Sequence, residues 1–149
     1  MRKLIIICTF VIALTIIYIY NNEKLPPRTP IKIINRICEL KIPSNVNVEK
    51  YDEQWNANGD GYCLIILNPD NKEFESILSK IRNSNSYQRL PIKNLPNGFY
   101  LIGHITDYLP KNDAIGYYKL KIINQNDGSY EIVIADMKVK KIIIYFSIV

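Results

Sequence analysis

Apolar and polar residues alternate in blocks along this chain, and the blocks predict distinct elements. Leu4 to Tyr20, LIIICTFVIALTIIYIY, carries no charge; as a helix it would rise about 25 Å, close to the thickness of a bilayer core. Arg2 and Lys3 precede it and Asn21, Asn22 and Glu23 follow. The positive-inside rule then predicts an uncleaved signal-anchor over 1–22, with the N-terminus inside and everything after it outside the inner membrane. Residues 23–30 include Pro26, Pro27 and Pro30, which reads as a semi-rigid spacer. A single extracytoplasmic domain over 31–149 follows in this reading.

Within that domain, short apolar runs recur at intervals of about ten residues, a rhythm of strands. ICELKI (37–42) and NVNVEKY (45–51) alternate apolar with polar positions, as half-buried strands do. YCLIIL (62–67) is apolar without a break and predicts a central strand covered on both faces. Asp70 with Glu73 forms a capping box ahead of Phe74, Ile77, Leu78 and Ile81, spaced to make one stripe of a helix. Strands are also expected at FYLIGHI (99–105) and YYKLKII (117–123), with a hairpin pairing 130–135 with 139–148 across Asp136–Lys138. Together these predict an α+β fold: an antiparallel or mixed sheet, one main amphipathic helix packed on one face, and an N-terminal transmembrane helix in front.

Composition narrows the function classes. The chain has 149 residues, 48% hydrophobic and 22% charged, the profile of a globular protein rather than a disordered one. Its net charge of +5 is spread among interspersed acids and bases, which argues against nucleic acid as a partner. The expected partners are the membrane, through the first helix, and a protein or other component of the cell envelope.

Candidate chemistry is sparse. NANGDGY (56–62) opens like an EF-hand loop, but the position that needs a bidentate carboxylate falls on Leu67; the stretch reads as a glycine-assisted turn, and no metal or cofactor is expected. Cys38 and Cys63, on two expected strands, are candidates for a disulfide, with two buried thiols as the other reading. His104 is the sole histidine. With Asp107 and one of Ser76, Ser79 or Cys63 a triad can be drawn, yet no nucleophile-elbow motif supports it. KVKK (138–141) reads as a charged turn that shields the last strand from edge pairing. Glu49, Asp52, Glu53 and Asp60 surround Tyr51 and Trp55, an acidic and aromatic patch suited to binding. Tyr51, Asp52, Trp55 and Asp60 are its candidate contact residues.

The run YDEQWNANGDGYCLIIL, then FESILSKI and YQRLPI, resembles a loose group of short bacterial envelope proteins, anchored or lipidated, with no assigned activity. The likeness covers mainly 51–92 and implies location and architecture rather than a reaction. Cys8 follows Ile7 and does not match the lipidation cysteine of that group. The expected function is a non-enzymatic, membrane-anchored binding protein of immunity, inhibitor or assembly type. The alternative is a small envelope hydrolase acting on glycan or peptide through a pair of carboxylates.

Overall fold

The computed structural model describes residues 2–20, 29–93, 95, 99–111 and 113–149. Three helices and a six-stranded sheet form within them: α1 (Arg2–Tyr20), α2 (Pro30–Cys38), β1 (Val48–Trp55), β2 (Gly61–Leu67), α3 (Asn71–Arg82), β3 (Gln88–Arg89), β4 (Gly116–Asn124), β5 (Ser129–Asp136) and β6 (Lys141–Ile148). The sheet is antiparallel throughout, in the order β1-β2-β6-β5-β4-β3.

The expected membrane anchor is corrected. Among the described residues no helix is long and apolar enough to cross a membrane. Helix α1 has 19 residues but begins with Arg2 and Lys3; its apolar run rises only about 25 Å against a hydrocarbon core of about 30 Å. The single-pass arrangement, the inner-membrane location and the extracytoplasmic placement of the domain fall with it. From Ile7 to Ile19 the side chains of α1 are exposed and belong to neither core cluster. Residues 23–28 of the expected proline-rich spacer lie outside the described residues. Thr29 and Pro30 start a helix instead: Thr29 accepts from the Lys32 amide as N-cap, and Pro30 takes the first helical position, where its missing N–H costs nothing.

That helix is a second correction. The stretch expected as a strand at 37–42 contains the end of α2 and the turn beyond it. Ile34, Ile37 and Cys38 are buried together, a spacing of three and four that suits a helical stripe, while the alternation of 37–42 is too short to distinguish the two periods. Helix α3 forms where the spacing predicts it, with a reciprocal capping box between Asp70 and Glu73 and with Phe74, Ile77, Leu78 and Ile81 buried. Two helices, not one, therefore cover the sheet.

Strand alternation sorts the core into two layers. On the helix-covered face lie Cys63, Ile65, Leu67, Val133, Ala135, Ile142 and Ile144 beneath α2 and α3. On the other face lie Leu64, Ile66, Tyr130, Ile132, Ile134, Ile143 and Tyr145. The long connection between β3 and β4 covers this second face with Leu90, Ile92, Phe99, Leu101, Ile105 and Tyr108. FYLIGHI accordingly is not a strand. It lies across the sheet rather than along an edge, so its backbone has no ladder to join. It is pinned by side chains: Phe99 meets the ring of Tyr130 edge-on at 5.6 Å, and the Tyr130 hydroxyl donates to the Ile102 carbonyl at 2.9 Å.

The basic turn before β6 also has another role than edge protection, since β6 is flanked by β2 and β5. Lys138 pairs with Asp113, Lys140 donates to Asn71, and Lys141 pairs with Glu49 at 2.6 Å. Each lysine ties the turn to a different segment.

Buried polar bonds fasten α2 to the sheet. Lys119 of β4, only 8% exposed, donates from Nζ to the Ile37 carbonyl at 3.1 Å and pairs with Glu39 at 2.8 Å. The Tyr87 hydroxyl donates to the Cys38 carbonyl at 2.9 Å. Both acceptors are orphan carbonyls of a helix C-terminus, where a cation is also favoured by the dipole. Lys119→Met should leave the Ile37 carbonyl without its partner and lower unfolding free energy by about 1–3 kcal/mol. Lys121→Met, at a long 3.6 Å pair between an exposed ammonium and the half-buried Glu131, should change it by less than about 1 kcal/mol. Urea denaturation of the two variants beside the parent chain measures both.

Candidate functional site

The residues that carry the acidic and aromatic character converge on the β1–β2 hairpin, but its two faces divide them. A register shift between Val48 and Lys50 resets the alternation of β1. From there Lys50 and Asp52 pair with Ile66 and Leu64, so they face the loop-covered side; Tyr51 and Glu53 pair with Ile65 and Cys63 and face the helix-covered side. Neighbours in sequence are thus on opposite sides of the sheet.

On the helix-covered side, Glu53 sits between two rings. Its Oε1 accepts from the Trp55 indole at 2.5 Å, and its other oxygen accepts from the Tyr51 hydroxyl. The Trp55 ring lies 5.5 Å from Phe146 and is half-buried against the helix-side core. Trp55 is therefore both a core anchor and part of the patch. Tyr51, Glu53 and Trp55 occupy alternate positions of one strand, so they form a row about 14 Å long.

On the other side, the Tyr62 hydroxyl donates to Asp52 at 3.3 Å, and its ring stacks on His104 with centroids 4.2 Å apart. Burial, then the Asp52 carboxylate, pushes the Tyr62 hydroxyl above its usual pKa. Lys50 donates to the Tyr108 hydroxyl at 2.8 Å, and that bond holds its ammonium above the ordinary lysine range. Tyr62, Lys50 and Tyr108 are members of the site that the reading of the sequence passed over. Lys50 and Tyr62 lie on the hairpin and share a face with Asp52, a signal available from strand alternation. Tyr108 and His104 arrive from the long connection, which carries no such signal.

Asp60 is placed apart from the other candidate contacts, in the turn. There Asn56 donates to the Asp60 carbonyl at 2.8 Å, Gly59 to the Asn56 carbonyl at 3.1 Å, and the Asp60 carboxylate accepts from Asn58. The turn ends in a close approach: a Cβ on Gly61 would run into the Gln54 carbonyl and come within 2.7 Å of the Trp55 ring. Among the described residues no group of three or more His, Cys, Asp or Glu could hold a metal ion.

The geometry also separates the residues of the conceivable triad. His104 stands on the loop-covered side, stacked on Tyr62. Ser76 and Ser79 are on the outer surface of α3 and Cys63 is buried beneath the helices, so the sheet lies between base and nucleophiles. The carboxylates are equally dispersed. Glu49 pairs with Lys141, Asp52 and Glu53 face opposite sides, and Asp60 belongs to the turn. A cleft of about 300 Å³ between Pro91, Ile92, Leu101, Leu109 and Lys111 is lined by no acid.

Cys38 and Cys63 are buried thiols, not joined in a disulfide. Burial pushes the Cys38 thiol up to about 12, with Lys119 opposing the shift, so it carries no thiolate near neutral pH.

No known protein family, characterised protein or solved structure matches the chain.

Two outcomes check this geometry. Iodoacetamide at pH 8 should label Cys8, which is exposed, within minutes while Cys38 and Cys63 become reactive only in denaturant; mass spectrometry of tryptic peptides reads the difference. Gly61→Ala should destabilise the chain by about 2 kcal/mol, because the added methyl forces the hairpin backbone and the Trp55 ring apart; thermal unfolding measures it.

Proposed function

We propose that this chain is a non-enzymatic binding protein, of immunity, inhibitor or assembly type, and that the β1–β2 hairpin is its contact surface. The observation that carries the reading is the row Tyr51, Glu53 and Trp55 on the outermost long strand, held in one arrangement by the bonds of both rings to a single carboxylate. Aromatic side chains pre-set in this way lose little freedom when a partner arrives, and tyrosine and tryptophan are the residues that most often dominate binding energy. Asp52 adds charge on the second face, beside Lys50, and Asp60 lies in the turn.

The alternative, hydrolysis by paired carboxylates, needs two acids directed into one cleft about 5–10 Å apart. Asp52 and Glu53 diverge across the sheet, and no observation favours that reaction.

The test is comparative capture. A tagged chain and a variant carrying Tyr51→Ser, Asp52→Asn and Asp60→Asn, with the fold verified by circular dichroism, are used to recover bound protein from cells under equal conditions. Recovery of the partner should fall at least about tenfold, the effect of removing one or two dominant contacts. Equal recovery by both chains would remove the hairpin as the contact surface.

A further inference from the structure

We propose that the cleft within the long connection between β3 and β4 binds a medium-length aliphatic carboxylate, its chain against the apolar walls and its head group at Lys111. The site is separate from the hairpin and stands independently of it. Pro91, Ile92, Leu101, Leu109, Pro110 and Lys111 line the cleft. Ile92, Leu101 and Leu109 are half-buried; part of each packs against the second core layer, and part remains for the cleft. Bonds to the sheet and within the connection hold this lining in place. The Leu90 amide donates to the Gly116 carbonyl at 3.0 Å, and the Lys93 amide donates to the Tyr118 hydroxyl of β4 at 3.2 Å. At the other end of the connection Lys50 donates to Tyr108 at 2.8 Å, and the Lys111 carbonyl accepts from the Ala114 amide at 2.9 Å. A lining fixed before a ligand arrives loses little freedom on binding.

The walls select an alkyl chain. Pro91 and Pro110 have no backbone N–H, and the side chains of Ile92, Leu101 and Leu109 offer only hydrocarbon. A sugar or nucleotide would leave its polar groups unpaired against them; a chain of methylenes leaves none. The volume of about 300 Å³ holds about ten groups of water size at about 30 Å³ each, so a chain of about eight to ten carbons fills it. Tyr100, 72% exposed beside the cleft, adds a ring for the chain to lie against and a hydroxyl able to donate to an anion.

Charge selects the head group. Among the described residues the lining carries one charge, the Lys111 ammonium, and no acid. Asp113 feels that charge but is bonded to Lys138. A lysine at an apolar wall attracts an anion and repels a cation. One lysine without a second cation matches a head group of single charge, a carboxylate rather than a phosphate monoester, which carries close to two charges.

The experiment uses the full chain, isotope-labelled at its isoleucine and leucine methyls, titrated with sodium decanoate, decylammonium chloride or acetyl-Leu-Leu, each below its micelle concentration. Decanoate should shift the methyl resonances of Ile92, Leu101 and Leu109 saturably. It should bind at least about threefold more tightly than decylammonium, the scale of one exposed charge. Lys111→Glu, at an exposed position, should invert that order. Leu101→Trp, with its fold checked by thermal unfolding, should fill the cleft and abolish the shifts at Ile92 and Leu109; if that variant does not fold, Lys111→Glu decides alone. Shifts confined to the exposed methyls of α1, equal binding of the two ions, or an order unchanged by Lys111→Glu would each overturn the proposal. So would tighter binding of acetyl-Leu-Leu than of decanoate, which would make the cleft a site for a peptide C-terminus.

Discussion

The pairing of β2 with β6 is the contact on which the rest of the structure depends. It joins residues about eighty positions apart, from Gly61 opposite Ile148 to Leu67 opposite Ile142. It also places Leu64, Ile65, Ile66, Ile143, Ile144 and Tyr145 at the centre of the sheet, where both faces are covered. Hairpin β1–β2 and the β4–β5–β6 meander are each local; only this junction makes one sheet of them. Without it neither α2 and α3 on one side nor the long connection on the other would have a complete surface to cover.

The same junction creates the candidate site. By occupying the inner edge of β2, β6 leaves β1 outermost, and it brings Phe146 against Trp55 and Tyr145 near Tyr62. An acidic, aromatic hairpin would be a fluctuating ribbon on its own. Mounted on a two-sided core, it becomes a rigid edge with defined chemistry on each face. The polar bonds of Lys119 and Tyr87 to the end of α2 serve the same purpose one layer away, because they keep the helix seated by satisfying carbonyls that its last turn leaves unbonded.

The acidic residues show how strongly a strand constrains chemistry. Asp52 and Glu53 are adjacent in the chain. In a strand they are directed to opposite sides, and each is taken up by its own hydroxyl or indole donor. What looks like one cluster along the sequence becomes two rows in space.

Local signals determined a good part of this protein. The continuous apolar run of β2, the capping box and stripe of α3, the β5–β6 hairpin and the turn at 56–62 are legible from residue spacing, because each forms from neighbours in the chain. Tertiary structure decided the remainder. Residues 37–38 end a helix because Ile34, Ile37 and Cys38 have a sheet face to fill, and 99–105 stay out of the ladder because every central strand already has two neighbours. Which strand ends the sheet, and that His104 meets Tyr62 rather than a nucleophile, depend on distances between segments far apart in the chain, which no periodicity encodes.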